Sequence, residues 1–300
     1  MDTLQEKLEL QVCVVAHNEQ LHIAACLEHI EEALNYGNIT RYVVHIINNG
    51  SSDNTQRLCE AFCHDRKEWF AHEVTLGDKS NAWNLGVYQY ATEKVLTVYI
   101  DGDCRISPST FMSFIQAHQE KPKAYIYAGI PNTFGGTTQH IIDETLKGKA
   151  LSGGLFALSE RFIKNVREKS FKLPIGLIGD DSLLAWVSSH DFKLNNGVIK
   201  GLLVGVEGAK FEYHRLTPTS WSNIKLYIRR LQRYSLRHLQ QKCIREFLNK
   251  HDDFELLPEN INELYSLHKT EHIRINGLVN KYFDTKSSKR IKLFLKEDIN

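Results

Sequence analysis

No run in this 300-residue sequence approaches the roughly 20 consecutive apolar residues that a helix needs to cross a bilayer. The opening Met1–Lys7 has no basic stretch leading into an apolar core, so no signal peptide is expected. A charge excess is missing too. Against 37 Lys and Arg stand 36 Asp and Glu, and a net charge of +1 gives no whole-chain attraction to nucleic acid. Any basic patch has to be local. Cysteine is sparse and scattered, at positions 13, 26, 59, 63, 104 and 243. Several of these lie inside apolar runs, as buried free thiols do, which points to a reducing compartment. Cys59 and Cys63 are one helical turn apart beside His64, but too few further ligands have fitting spacing for zinc, and helix packing accounts for them. There is no internal repeat and no low-complexity segment. What is present is the profile of an ordinary globular chain, 42% apolar and 24% charged, long enough for one large domain with or without an appendage.

The first half alternates strand and helix patterns. Val12–Ala16 and Tyr42–Ile47 read as buried strands, as does the β-branched and aromatic run Val95–Ile100; Phe70–Leu76 reads as a further strand. Between them lie a helix with Leu27, Ile30 and Leu34 on one face, a helix entered at Asp53, and a helix entered at Asp78. Repeated strand–helix units imply a mostly parallel sheet covered by helices on both sides. Further strands are expected at Ala124–Ala128 and at Gly153–Leu158, and as two segments within Val198–Phe211. From Trp221 the pattern becomes helical and rich in Arg and Lys. The chain is therefore expected to divide into an α/β domain over 1–215 and a helical extension over 216–300.

Polar clusters follow the strands. Ala16-His17-Asn18-Glu19 comes after the first and Asn48-Asn49-Gly50-Ser51-Ser52-Asp53 after the second. Lys79 to Gly86 opens a helix, Asp101-Gly102-Asp103 ends the Val95 strand, and Gly179-Asp180-Asp181 starts a helix. In a doubly wound sheet the carboxyl ends of the strands face one crevice, where ligands bind. Two carboxylates separated by one glycine can turn toward a single hard cation, Mg2+ or Mn2+, which keeps waters and bridges to substrate phosphates. The same Asp-Gly pair is also a common hairpin turn. Asp180 and Asp181 fit a helix N-terminus electrostatically, but capping explains at most one of them.

In this order and spacing the clusters resemble the family 2 glycosyltransferases. The likeness spans residues 10 to 235 and includes Asn18-Glu19, Gly50 to Asp53, Lys79 with Asn84 and Gly86, Asp101/Asp103, Asp180-Asp181, and Arg230-x-x-Arg233-Tyr234, where many relatives have Gln-x-x-Arg-Trp. The resemblance implies the GT-A fold, a three-layer α/β sandwich with a mostly parallel sheet. It also implies a donor site at Ala16, Asn18, Glu19, Asn49, Ser51, Lys79, Asn84, Asp101 and Gly102, with Arg230 and Arg233 on the diphosphate. The metal, Mn2+ or Mg2+, would lie at Asp103 and Asp101, with His214 as a further ligand; a lone histidine after an apolar run is otherwise a packed or surface residue. Departures are Val15 and His17 around the first loop, and Asn48 and Asn49 where relatives carry aspartates, the second of which contacts uracil.

The expected reaction is transfer of a sugar from a nucleoside-diphosphate donor, with UDP favoured, to an acceptor hydroxyl. Asp181 is the expected general base, with Asp180 beside it, and a single base opposite the leaving group implies inversion. The acceptor would be a saccharide, a lipid-linked sugar or a protein. A nucleotidyltransferase would place a glycine-rich phosphate loop after the first strand, and Ala16–Glu19 has no glycine. A degenerate relative that only binds sugar nucleotides is the other alternative. Arg229, Arg230, Arg233, Arg237, Lys242 and Arg245 alternate with apolar residues, as in a helix packed on the catalytic domain or one lying on an anionic membrane. A cytoplasmic protein is expected, with peripheral contact to the inner membrane face as the second reading of that helix.

Overall fold

The structure is a computed structural model and describes residues 10–92, 95–132, 136–213 and 221–297. The strands are β1 (Leu10–Ala16), β2 (Tyr42–Asn49), β3 (Trp69–Val74), β4 (Leu96–Asp101), β5 (Cys104–Ile106), β6 (Ile126–Pro131), β7 (Leu155–Leu158) and β8 (Leu203–Tyr213). The helices are α1 (Ile23–Tyr36), α2 (Thr55–Cys63), α3 (Lys79–Leu85, continued by a wider turn over Gly86–Tyr90), α4 (Thr110–Glu120) and α5 (Gly136–Leu146). After them come α6 (Glu160–Glu168), α7 (Asp180–Ser189), α8 (Trp221–His251) and α9 (Leu278–Glu297).

One sheet runs β3-β2-β1-β4-β7-β6-β8-β5. The first four strands are parallel, β7 is antiparallel to both neighbours, β6 and β8 are parallel, and β5 is antiparallel on the edge. Strand alternation explains the layers. Leu10, Val12, Val14 and Ala16 face a core shared with α1, α2 and α4, while Cys13 and Val15 face a second core. The second core is filled by Trp83 of α3, Phe162 and Val166 of α6, Leu184 and Val187 of α7, and Leu239, Cys243, Ile244 and Leu248 of α8. The chain is thus a three-layer α/β sandwich in which the back half of α8 joins the second core. The expected boundary at 215/216 falls in the stretch 214–220, outside the described residues. Among the described residues no helix is long and apolar enough to cross a membrane.

The expected pair of segments within Val198–Phe211 is one strand, β8, beginning at Leu203. Gly201 at φ +87° turns the chain into it. Along β8 the register with β6 slips between Ala128 and Ile130, so a bulge replaces the expected break. Near Gly205 the strand passes the end of α5 so closely that a Cβ would lie 2.7 Å from Leu146 Cα.

At the β3 edge His45 and His72 stack with Tyr90, and His45 Nδ1 lies 3.0 Å from His72 Nε2. Burial and the neighbouring His72 push His45 from 6.5 to about 4, and burial lowers His72 as well. The unfolded chain therefore binds protons that the folded chain refuses. Stability from this pair is full above pH 6.5 and is lost as pH falls toward 4. Thermal midpoints measured across that range should fall on the acid side, and His45→Gln should flatten the fall. An unchanged slope in the variant would remove the pair as its cause.

Candidate active site

The site is assembled at the carboxyl ends of β1, β2 and β4. The loops after β1 and β2 clasp each other. Asn18, in the left-handed region at φ +56°, donates its N–H to Ser51 Oγ at 2.8 Å, and its Oδ1 accepts from Ser52 N at 2.8 Å. His17 Nδ1 lies 2.7 Å from the Asn49 carbonyl, and Glu19 donates its N–H to Thr55 Oγ1. Asp53 accepts from Thr55 N–H at 3.0 Å, although the N-cap position of α2 is Asn54. Asn49 is buried, and its Oδ1 accepts from Asp78 N–H at 3.0 Å. Asp78 caps α3 through Asn81 N–H, as its sequence position predicts, and this orders the helix start that carries Lys79.

Gly102 brings β1 and β4 together at the strand ends. Its N–H donates to Val15 O at 2.8 Å, and a Cβ would stand 2.8 Å from the Ala16 Cβ. Asp101 and Asp103 flank this contact. Burial lifts Asp101 to about 6, with Lys79 opposing and Asp103 reinforcing the shift. Glu19 rises to about 7, through burial and the charges of Asp103, Asp101 and Asp53. Glu19, Asp101 and Asp103 therefore crowd one crevice at a cost that a hard divalent cation would relieve, and an all-oxygen donor set is what Mg2+ or Mn2+ takes. Asp101 and Asp103 fit such an ion. Among the described residues, no group of three metal-ligating atoms includes either of them; the two such groups, Cys243/His268/His272 and Glu246/Glu271/His272, lie in the extension. His214 lies outside the described residues.

Lys79 joins the two acidic pairs. Its Nζ lies 2.7 and 2.8 Å from the Asp101 oxygens, 3.7 Å from Asp180 and 3.5 Å from the Gly153 carbonyl. These anions hold the ammonium well above the usual lysine range despite its burial. Asp180 and Asp181 begin α7 after Gly179, whose φ is +97°. A Cβ at Gly179 would lie 2.9 Å from Arg237 Cζ, so glycine is what allows α8 to approach. Arg237 Nη2 donates to Asp181 Oδ1 at 2.8 Å and to Ser182 Oγ. Burial and Asp180 raise Asp181, while Arg237 and Lys79 pull it back toward its ionised form.

Not every expected residue reaches this center. Asn84 spends both ends of its amide on Leu173, donating to the carbonyl and accepting from the N–H, each at 2.9 Å. Arg230 is half-buried and Arg233 exposed on α8, while Arg237, one turn further, makes the contact to Asp181. Arg237 was visible only as one basic residue among several on that helix. Gly153-Gly154 is expected from the sequence either to border the acceptor pocket or to form a bulge; Gly153 instead meets Lys79 and does not line the pocket, and Ser182 had no signal of its own as a site residue.

From Asp181 a pocket of about 740 Å3 extends between the loop 148–152, α7 and α8. No residue of the loops after β1, β2 and β4 lines it. The site thus has two sides: a carboxylate-rich crevice at the strand ends and a separate pocket, with Lys79, Asp180 and Asp181 between them.

The family model described as glycosyl transferase family 2 matches residues 11–174. Among solved structures, a mannosyltransferase, PcManGT from Pyrobaculum calidifontis in complex with GDP-Man and Mn2+, superposes with a TM-score of 0.55 at 12% identity, covering 98% of this chain and 75% of that one. S. aureus TarS 1-349 in complex with UDP-GlcNAc gives a TM-score of 0.50 at 12% identity, with 97% and 92% covered. GalNAc-T7 with UDP, GalNAc and Mn2+ gives 0.52 at 13% identity, with 98% and 58% covered. At these identities the likeness is one of fold. No curated protein matches the chain by sequence.

Proposed function

We propose, from the premise that this chain belongs to glycosyl transferase family 2 and is a glycosyltransferase, that it moves a sugar from a nucleoside diphosphate to an acceptor hydroxyl with inversion. The observation that carries the reading is the position of Lys79, whose single ammonium ties the Asp101 strand end to Asp180, while the adjacent Asp181 opens on the pocket. The donor lies in the crevice formed by Ala16, Asn18, Glu19, Asn49, Ser51, Asp101 and Gly102. Asn49 Oδ1 is engaged by the Asp78 N–H, which leaves its NH2 as the donor available to a base. Manganese in two of the similar structures supports a divalent ion here, held by Asp103 and Asp101. When bound, that ion supplies Lewis-acid neutralisation of the leaving diphosphate.

Asp181 takes the proton of the acceptor hydroxyl. The freed oxygen pair forms the new bond to the anomeric carbon from the face opposite the diphosphate. The old carbon–oxygen bond breaks, its electron pair leaves with the nucleoside diphosphate, and the configuration inverts. Arg237 favours the ionised form of the base against burial and Asp180, and fixes the orientation of its carboxylate. Arg230 and Arg233 remain candidates for the diphosphate. Peripheral membrane contact draws support from Leu226, Tyr227 and Ile228, which are exposed beside Lys225 and Arg229.

Calorimetric titration of UDP and GDP, each with and without Mn2+, tests the donor site. We expect UDP to bind in a metal-dependent manner. Preference for GDP would assign the base choice to Asn49, and binding of neither nucleotide would remove the transferase reading.

A further inference from the structure

Of the 22 residues lining the pocket beside Asp181, Lys149, Arg237, Lys242 and Arg245 are cations, and Asp181 is the single carboxylate. Arg237 is matched by Asp181. Lys149 feels the Glu144 carboxylate without forming an ion pair, and Lys242 and Arg245 take part in no ion pair among the described residues, so the walls carry a net positive charge in a chain whose net charge is only +1. That contrast is local and directed. His238, Gln241, Lys242 and Arg245 are spaced so that they share one face of α8, and all four line the pocket. Leu239 and Cys243, turned away from that face on the same helix, are buried in the core. The helix therefore cannot roll its cations away from the pocket without exposing that core.

The chemistry of the walls is also specific. Arg245 sits over the Trp186 ring with its Cζ 4.9 Å from the centroid. Stacking of that kind fixes the guanidinium plane and leaves its edge N–H groups free for an oxyanion. Trp186 lines the same pocket and anchors that guanidinium there. A volume of about 740 Å3 suits one or two sugar units. Since the strand-end loops that would take the donor contribute nothing to the lining, the charge is placed for the second substrate.

We infer that the acceptor of this transferase is an anionic saccharide, whose phosphate or carboxylate docks on Lys242, Arg245 and Lys149 while its hydroxyl meets Asp181. This rests on the transferase reading above. The test uses the full chain saturated with UDP and Mn2+, so that the donor side is filled, and measures binding of glucose 6-phosphate, glucuronate and glucose. Charge-assisted hydrogen bonds make the anionic probes about tenfold tighter than glucose. The double variant Lys242→Ala, Arg245→Ala should erase that preference and leave UDP affinity unchanged. Lys149→Ala, at an exposed loop position, should weaken it in part and guards against a folding defect in the pair. Equal binding of glucose and its anionic counterparts would overturn the inference. So would a preference that survives the double variant, or a double variant that weakens UDP instead. The same probes titrated without nucleotide keep the two claims apart: loss of UDP binding in wild type counts against the transferase reading alone. Binding to phosphatidylglycerol vesicles with none to the soluble probes would replace the saccharide by a lipid surface and overturn it as well.

Discussion

Asp181→Asn is expected to lower sugar transfer by about 10²–10⁴-fold, the range a positioned general base contributes, while leaving metal-dependent nucleotide binding intact. Asparagine keeps the volume at the head of α7 and can still accept from Arg237, but its amide cannot take a proton from a hydroxyl. Arg237 and Lys79 hold the wild-type carboxylate toward ionisation against the pull of burial and of Asp180. If Asp181 is the base, it is the group protonated during the reaction, so its loss should appear in kcat rather than in donor affinity. Nucleoside diphosphate release in the presence of an accepted saccharide gives the rate, and calorimetry gives the affinity. A variant retaining more than about a tenth of the wild-type rate would be incompatible with a base role on that same scale.

Asp103→Ala should have the second largest effect, weakening metal-dependent donor binding by about 100-fold, since even the outer partners of metal ligands cost 10–100-fold when removed. The two aspartates of the pair are not equivalent. Asp101 is already gripped by Lys79 through both oxygens, whereas Asp103 accepts only from Cys104 Sγ at 3.5 Å and has no cationic partner among the described residues. Asp103 is thus the more available ligand. It sits in the turn into β5 and is half-buried, so its loss should leave thermal stability nearly unchanged. Nucleotide titrations with and without Mn2+ separate the two contributions. If the variant binds the donor as tightly as wild type in the presence of metal, the ion is not held there.

The parallel half of the molecule was legible because its signals are local. β1 and β4 are short β-branched runs buried on both faces, and Asp78 stands immediately before a helix that it caps. The acidic pairs were legible for the same reason, since each sits where an element ends or begins. What escaped depends on chain segments far apart in sequence. β7 enters antiparallel between β4 and β6, and no pattern inside Leu155–Leu158 states its direction. β8 was expected as two pieces because glycine punctuates it, yet the bulge against β6 absorbs the irregularity. Arg237 could not be singled out from its basic neighbours, because periodicity gives a helix a face but not the surface that face meets. Asn84 sits in a motif of donor residues and yet clamps Leu173, 89 positions away in the chain.

The sharing of one core by the sheet and α8 bears on how substrate choice in such a protein can drift. In many α/β enzymes the loops that select the second substrate can lengthen or be exchanged while the scaffold stays the same. Here one wall of the pocket beside Asp181 is the reverse side of a core helix. Leu239, Cys243, Ile244 and Leu248 hold it in the second core, and Gly179 admits Arg237 at close range. A lineage that changed this wall by inserting or deleting a residue in α8 would rotate every later side chain by about 100°, turning apolar residues outward and cations inward. Diversification along this wall is therefore confined to point replacement at the pocket-lining positions that do not also pack the core or hold Asp181, namely 238, 241, 242 and 245. Larger novelty has to come through the loop at 148–152, where Lys149 and Ser152 are outside the core while Leu151 and Gly148 still anchor the loop to it.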